Sequence, residues 1–369
     1  MNEHIFSKRI SALRNELHSH NVDAIFISFL PYLRYVAGFS GSAGIGLLKK
    51  NTSQGKKFPA YFITDGRYTE QVKQQLHGWN ITIAPRGVKY IYEMQKRAFL
   101  ADCKCVGFDK NTVSFAEYAA LKKLFPEIKF TALENIFEPI IAVKDASELD
   151  ALRTAVEITD KVFTDVVQNI EAGIPEREIA AEISFLQKIY GGESDAFEPI
   201  VASGIHSALP HARPTEKMLG NREMLILDFG CTVNGYHSDM TRTIAIGKIP
   251  PVMKTVYRIV REAQQKAIDA VRSGIVAKKL DAIARNYIVK NGFGKFFNHS
   301  LGHGVGLQIH ESPFLKSNSE EILQEGNTIT IEPGIYLPGV GGVRIEDVVL
   351  VEKDGCKILT QSPKELMII

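Results

Sequence analysis

The chain has 369 residues, of which 45% are hydrophobic and 23% are charged, and its formal net charge is +2. These values are typical of a globular protein in water, and the length fits two domains of ordinary size. Because a charge this close to neutrality creates no strong field, composition disfavours nucleic acid and anionic membranes as partners. No run approaches the roughly 18–20 apolar residues of a membrane span, so we expect no membrane association.

The cysteines and the first residues predict the compartment. The four cysteines are Cys103, Cys105, Cys231 and Cys356. The C-x-C spacing of the first two matches neither the C-x-x-C redox motif nor half of a usual zinc site, so we interpret all four as reduced thiols. The opening MNEHIFSKRI lacks the apolar segment of a secretion signal. The sequence therefore predicts a cytoplasmic protein.

The first third of the chain alternates predicted helices and strands. Apolar residues at helical spacing predict an amphipathic helix over 4–20, and short apolar runs predict strands over 22–28, 60–64, 80–84 and 105–109. Further helices are predicted over 67–76 and from a Ser114 cap to about residue 124. This alternation is typical of an α/β domain.

A domain boundary is predicted near residues 140–147. Asp145 and Glu148 have the spacing of a capping box, and a helical pattern follows to about residue 170. We therefore place the first domain at 1–143 and the second at 144–369. The second domain has predicted helices over 147–170, 176–190, 251–273 and 277–291, and predicted strands around 224–246 and 327–353. Helices and antiparallel hairpins in separate blocks predict an α+β fold.

The segment LDFGCTVNGYHSDMTRT, residues 227–243, is predicted to bring two aspartates together. The Asn-Gly pair at 234–235 is the strongest short signal for a type I′ hairpin turn. With this turn, Asp228 pairs with Thr241, and Asp239 lies on the same face of the hairpin as Asp228, about 7–8 Å away at the backbone. Two ionised carboxylates on an apolar sheet repel unless a cation joins them. A pair of solvated hairpin acids also fits this segment alone.

Histidines concentrate in a second segment, NHSLGHGVGLQIH. It contains His299, His303 and His310, three of the ten histidines in the chain. Glycines on both sides of His303 allow the backbone to approach a ligand closely. A glycine-rich loop with unrelated histidines is the alternative interpretation of this segment alone.

Two glutamates are predicted to meet on a second hairpin. Glu332 ends an alternating strand, and Glu346 lies inside the next one. If the hairpin is centred on Gly339, the two glutamates face each other, and Arg344 lies on the same side as Glu346.

Together these segments supply four carboxylates and one imidazole: Asp228, Asp239, Glu332, Glu346 and His303. Oxygen ligands with a single nitrogen suit Mn²⁺, Co²⁺ or Fe²⁺ better than a thiolate-rich structural zinc site. Four acids exceed what one divalent ion needs, whereas two ions roughly 3.5–4 Å apart would balance them and could hold a hydroxide as nucleophile. The expected chemistry is hydrolysis of amides or phosphate esters.

The same motifs, in order, resemble the pita-bread metallopeptidases. The contexts "LDFG…GYHSDMTRT", "HSLGHGVG", "TIEPGIY" and "GVRIED" are similar to the proline-specific branch, aminopeptidase P and prolidase. "GFSGSAG" and "TDGRY" are similar to the creatinase/prolidase-type N-terminal domain. The resemblance implies an α+β protein with a C-terminal pita-bread domain and a smaller α/β N-terminal domain.

The resemblance also implies a role for each site residue. Asp228, Asp239, His303, Glu332 and Glu346 would ligate two divalent ions, with Asp239 and Glu346 bridging them. Mn²⁺ is the first expectation, with Co²⁺, Fe²⁺ or Zn²⁺ as alternatives.

The other roles concern the substrate. Glu332 would carry the proton from the attacking water to the leaving nitrogen, and His211 and His310 would bind the scissile carbonyl and the developing oxyanion. His299 and Tyr336 would border the proline pocket. Arg344 would hold the metal-binding carboxylates in place.

The expected function is that of an Xaa-Pro aminopeptidase, which releases the first residue from small peptides with proline in second position. An Xaa-Pro dipeptidase (prolidase) is the alternative, and the absence of an obvious long insertion near the site mildly favours the aminopeptidase. The resemblance further implies a homodimer. Creatinase, which needs no metal, and a non-catalytic pita-bread interaction protein are disfavoured because all five ligand types are present. Methionine aminopeptidase shares the ligands but would not need the first domain.

Overall fold

The computed structural model describes residues 3–50 and 59–369. The chain divides into two compact units, Met1–Ile140 and Ile141–Ile369, and each has its own core. In the part of the chain that is described, no helix is long and apolar enough to cross a membrane.

The first unit is a six-stranded sheet with helices. Its helices are α1 (Glu3–Ser19), α2 (Leu30–Ala37), α3 (Thr69–Gln75), α4 (Tyr90–Lys96) and α5 (Phe115–Leu124), and α6 (Glu138–Ile141) lies at the boundary between the units. Its strands are β1 (Ala24–Ile27), β2 (Ile45–Lys49), β3 (Ala60–Asp65), β4 (Trp79–Ala84), β5 (Cys105–Asp109) and β6 (Lys129–Leu133).

The strand order β4-β3-β2-β1-β5-β6 is mixed in direction. The pairs β3/β4, β1/β5 and β5/β6 are parallel, and β1/β2 and β2/β3 are antiparallel. All residues of β1 and β2 are buried, as expected for central strands covered on both faces. The predicted α/β alternation is confirmed, and Ser114 caps α5 in a complete capping box with Glu117.

The second unit contains four long helices and short antiparallel sheets. The helices are α7 (Ala146–Asn169), α8 (Glu176–Ile189), α9 (Pro251–Ile268) and α10 (Ala277–Lys290). The strands are β7 (Ser194–Asp195), β8 (Ile200–Ser203), β9 (Arg222–Phe229), β10 (Cys231–Val233), β11 (Tyr236–His237), β12 (Met240–Gly247), β13 (Gly302–Gly304), β14 (Glu311–Leu315), β15 (Thr328–Ile331), β16 (Gly334–Leu337), β17 (Gly341–Arg344), β18 (Asp347–Val351) and β19 (Cys356–Ile358).

These strands form four sheets, with orders β11-β10-β7, β12-β9-β8, β14-β13-β15-β18-β19 and β16-β17. Apolar residues of α9 and α10, among them Val256, Val260 and Leu280, pack with Ile329 and Val349 of the sheets in one buried cluster. A second cluster joins α7 and α8 to β9 and β12. The predicted α+β character of this unit is confirmed.

One predicted helix boundary is wrong. The pattern over 251–273 suggested a longer helix, but α9 ends at Ile268. Beyond it, the backbone N–H groups of Ser273 and Gly274 donate to the carbonyls of Glu352 and Leu323 instead of to the preceding helical turn, and Gly274 has φ +84°. Tertiary hydrogen bonds therefore end the helix before its apolar periodicity does.

Candidate metal centre and active site

The Asn-Gly hairpin brings the two aspartates into one region, as predicted. Asn234 and Gly235 have φ values of 49° and 79°, which a type I′ turn requires. Asp228, in β9, pairs with Thr241 of β12, so the predicted register is confirmed. At Gly230 a Cβ atom would lie 1.9 Å from the carbonyl oxygen of Ser238, so only glycine lets the backbone pass this close to the residue before Asp239.

The second hairpin also has the predicted register. Ile331 pairs with Asp347 in one ladder, and Gly334 pairs with Arg344 in the next. Glu332 and Glu346 therefore stand opposite each other at the junction of the two ladders. Both pairs of carboxylates come from the ends of short antiparallel strands.

His303, in β13, points a free ring nitrogen at the carboxylates. Its Nδ1 lies 3.0 Å from the carbonyl oxygen of Gly304, which accepts a hydrogen bond only if Nδ1 carries the proton. The lone pair is then on Nε2, which lies 3.7 Å from Asp239 Oδ2 and 3.3 Å from Glu332 Oε1. This is the tautomer that a metal-binding imidazole needs.

These side chains fit a divalent cation. Ligand atoms of Asp239, His303 and Glu346 all lie within 4.8 Å of one another, and all three residues are buried. Asp228 is buried as well, and its Oδ1 has no hydrogen-bond partner among residues 3–50 and 59–369. An orphaned buried carboxylate oxygen is costly, and a cation would satisfy it.

The acids repel one another without a cation. Burial raises the pKa of Asp239 well above its usual range, and the charges of Asp228 and Glu332 raise it further. Burial and the charges of Asp239 and Glu332 likewise raise the pKa of Glu346 well above its usual range. Burial raises the pKa of Glu332 to about 8 against the opposing charge of Arg344. Burial likewise raises the pKa of Asp228, although Arg344 lowers it.

Arg344 connects the carboxylates to the surrounding protein. Its Nη2 donates to Asp228 Oδ2 at 2.5 Å, and its Nε donates to Thr241 Oγ1 at 3.0 Å. The Thr241 hydroxyl in turn donates to Glu346 Oε2 at 2.7 Å. Burial alone would lower the pKa of Arg344, but Tyr336 and the acids keep it well above its ordinary value. The guanidinium therefore stays charged.

His299 and Tyr336 lie side by side next to Arg344. Tyr336 OH is 2.9 Å from His299 Nε2 and accepts from Arg344 Nη1 at 2.7 Å. Burial and the nearby charge of Arg344 lower the pKa of His299 to about 3, so its ring is neutral at neutral pH.

A cavity of about 500 Å³ opens onto the acids. His211, on the exposed segment after the 3₁₀ turn Gly204–Ala208, lines it together with His310. The His310 ring lies edge-on to the ring of His303, with centroids 4.3 Å apart. Burial and the neighbouring His211 lower the pKa of His310.

The cavity brings together the five predicted ligands with His211, His299, His310 and Arg344, and Tyr336 contacts it through His299 and Arg344. Sequence reasoning missed two features of the site. One is Thr241, whose position on the same strand face as Asp239 was a usable signal. The other is an apolar wall with no sequence motif, made by Phe197, Pro199, Ile200, Pro210, Ala212, Pro214, Ile309 and Phe314.

Comparison with known proteins identifies the family. Residues 150–353 match Metallopeptidase family M24, and residues 9–140 match the Creatinase/Prolidase N-terminal domain. The chain belongs to metallopeptidase family M24. This M24 protein is therefore a metal-dependent peptidase, with a creatinase-type N-terminal domain and a pita-bread C-terminal domain.

Relatives of this M24 peptidase cover nearly its whole length. A curated Xaa-Pro dipeptidase from Pyrococcus horikoshii is 35% identical, with 98% of this chain and 99% of that protein covered. A solved Xaa-Pro dipeptidase from Bacillus anthracis has a TM-score of 0.93 at 37% identity and covers 99% of this chain and 100% of its own. A solved X-Pro aminopeptidase from Thermotoga maritima has a TM-score of 0.87 at 34% identity, and the match covers 96% of this chain and 100% of that chain.

Proposed function

We propose that this protein is an Xaa-Pro dipeptidase that hydrolyses the amide bond between a first residue and a C-terminal proline. The observation that carries the proposal is the full-length similarity to Xaa-Pro dipeptidases of 35% and 37% identity, combined with a buried donor set suited to divalent metal ions. A cavity of about 500 Å³ lies in the lower half of the usual range for small-molecule sites, which suits a dipeptide. The proposal replaces the aminopeptidase expectation as the first interpretation.

Charge balance supports two metal ions. Four ionised carboxylates and the Arg344 guanidinium sum to −3. With the hydroxide that hydrolysis consumes included, one divalent ion would leave a net charge of −2 on the site, and two ions would leave a net charge of zero. We therefore propose that Asp228, Asp239, His303, Glu332 and Glu346 hold two ions, with Mn²⁺ first among the candidates. When bound, such ions lower the pKa of water and polarise a carbonyl.

The protein's own residues supply proton transfer and oxyanion binding. Glu332, whose side chain lines the cavity with the other acids, is assigned the role of taking a proton from water and returning it to the proline nitrogen. His310 and His211 line the cavity beside the acids, where imidazole N–H groups would donate to the developing oxyanion. These roles are part of the proposal, as is the assignment of catalysis to residues 144–369.

Proline fits the chemistry of this cavity. An Xaa-Pro amide nitrogen has no hydrogen, so a site that docks substrate through that N–H loses a contact. The neutral His299 ring, which packs against Tyr336, offers flat apolar surface beside the apolar wall instead. We propose that the pyrrolidine ring packs there.

Recognition of the free carboxylate separates a dipeptidase from an aminopeptidase. Among the described residues that line the cavity, Arg344 already donates hydrogen bonds to Asp228, Tyr336 and the Pro210 carbonyl. Arg213 is 84% exposed and lies 3.6 Å from Glu198, a loose pair that a ligand can replace. We propose that Arg213 binds the proline carboxylate.

An Xaa-Pro aminopeptidase is the second candidate, because a Thermotoga maritima X-Pro aminopeptidase is similar over 96% of this chain. Protein stripped with chelator and reloaded with Mn²⁺ would be assayed in parallel on Ala-Pro and Ala-Pro-Ala. Cleavage of the dipeptide at a kcat/KM at least tenfold above that of the tripeptide supports the proposal. Preferential release of alanine from the tripeptide supports the second candidate instead.

A further inference from the structure

A completely buried ion pair lies beside the site, and the proposed chemistry does not use it. Lys144 Nζ is 2.5 Å from Glu311 Oε1, with side-chain exposures of 0% and 1%. The Lys144 ammonium also donates to the Ala142 carbonyl at 3.0 Å. A buried pair of this kind gives little net stability relative to apolar residues of similar volume, so stability alone does not explain it.

The pair contacts the backbone between the two histidines His303 and His310. Glu311 directly follows His310, and its second oxygen accepts from the Gln308 N–H at 3.0 Å. A Cβ at Gly306 would lie 2.6 Å from Lys144 Cε and 2.8 Å from Glu311 Oε1. Gly306, the second glycine of the HGVG motif, is thus required because the ion pair packs directly against its backbone.

A second element fixes the same segment. The backbone N–H of His237 donates to the Gly306 carbonyl at 2.8 Å, and His237 Nδ1 lies 2.9 Å from the same oxygen. The Val305 N–H donates to the Thr328 carbonyl at 3.0 Å. The loop over 305–310 is therefore held at Val305, Gly306 and Gln308, while His310 itself is exposed to the cavity.

We propose that Lys144, Glu311 and His237 are positioning residues that fix His310 at the distance from the acids that oxyanion binding needs. The inference rests on the oxyanion role proposed for His310 above. A misplacement of about 1 Å at a catalytic group can cost about 100-fold in rate, so a loop of this kind needs a rigid support. The buried ion pair provides this rigid support, because its charge-assisted hydrogen bond has one favourable geometry.

The test neutralises the ion pair without leaving a lone buried charge. Removing one partner leaves an uncompensated buried charge and is strongly destabilising, whereas replacing both is often tolerated. The double variant Lys144→Met/Glu311→Gln should fold, keep its metal content and keep KM within about threefold, but lose about 10–100-fold in kcat on Ala-Pro. The control Lys278→Met/Glu320→Gln neutralises an exposed pair and should leave kcat unchanged. An unchanged kcat in a folded Lys144/Glu311 double variant would overturn the proposal.

Gly306→Ala provides an independent route, because it pushes the pair apart without removing a charge. It should lower kcat in the same way, with metal content retained. Wild-type kcat in this variant would contradict the positioning role.

A double-mutant cycle asks whether the pair acts through His310. In a His310→Ala background, the Lys144→Met/Glu311→Gln substitutions should cause no further loss of kcat. A full additional loss would show that the pair does not act through His310. If His310→Ala alone leaves kcat unchanged, the proposed oxyanion role fails, and that outcome is distinct from failure of the positioning inference.

Discussion

Arg344 Nη2 donates to Asp228 Oδ2 at 2.5 Å, while Asp228 Oδ1 has no hydrogen-bond partner within the described ranges. One oxygen of the carboxylate is thus held by the protein, and the other is left for a cation. The same guanidinium reaches Glu346 through Thr241. Arg344 therefore links carboxylates from the two hairpins that form the candidate site.

Arg344→Lys should weaken metal retention by about 10–100-fold, since groups that orient metal-binding carboxylates have effects of this size. A lysine ammonium cannot make the three directed contacts that Arg344 makes to Asp228, Thr241 and Tyr336. Metal affinity can be measured by titrating Mn²⁺ into chelated protein. Arg261→Lys, at a surface pair with Glu365, is the control. Equal affinities in both variants would remove this role from Arg344.

Asp239→Ala should abolish activity and metal retention together, because Asp239 belongs to the group whose ligand atoms lie within 4.8 Å of one another. Bound metal can be counted by elemental analysis after gel filtration, and hydrolysis of Ala-Pro can be followed on the same sample. A fully active, metal-loaded variant would contradict the site assignment.

Both carboxylate pairs were predictable from sequence because turn chemistry fixes hairpin register. The Asn-Gly turn sets the pairing of Asp228 with Thr241, and a turn around Gly339 places Glu332 opposite Glu346. Helix α7 was predictable from its Asp145 capping box, which is complete in the structure.

The rest of the site depends on contacts that no local pattern encodes. Lys144 and Glu311 are 167 residues apart and meet only after folding. The apolar wall is built from loop residues such as Phe197 and Phe314, which follow no periodicity. Short elements such as α2 and β13 also escaped prediction, because eight and three residues give too few positions for a periodic signal.

The metal-free protein should lose stability between pH 6.5 and pH 8. Burial raises the pKa of Glu332 from 4.5 to about 8, so in this window the folded state keeps a proton that the unfolded chain has released. Stability then falls as pH rises, by up to about 1.4 kcal/mol per pH unit for each such group. The pKa of His303 is lowered from 6.5 to about 4, so below pH 6.5 this group makes stability rise with pH instead. It has no such effect between pH 6.5 and pH 8.

Thermal midpoints at pH 6.5 and pH 8, with chelator and with saturating Mn²⁺, measure this effect. The metal-loaded protein should lose less stability across the window, because bound cations satisfy the ionised acids. A chelated protein whose stability does not fall between pH 6.5 and pH 8 would show that these acids are already ionised without metal.

Arg213→Ala should raise KM for Ala-Pro by about two- to tenfold, with little change in kcat, because an exposed charge pair contributes modestly to binding. The KM for Ala-Pro amide, which has no carboxylate, should not respond to the substitution. Arg213→Lys should retain part of the effect. If the dipeptide and its amide respond equally to Arg213→Ala, Arg213 does not bind the carboxylate.

The most direct test of the central claim is the rate of Ala-Pro hydrolysis by one preparation before chelation, after chelation, and after Mn²⁺ is added back. The five-ligand site predicts that activity disappears with the metal and returns with it, and that Asp239→Ala protein shows no recovery. Equal rates in the chelated and reloaded samples, with metal removal verified by elemental analysis, would contradict a metal-dependent dipeptidase.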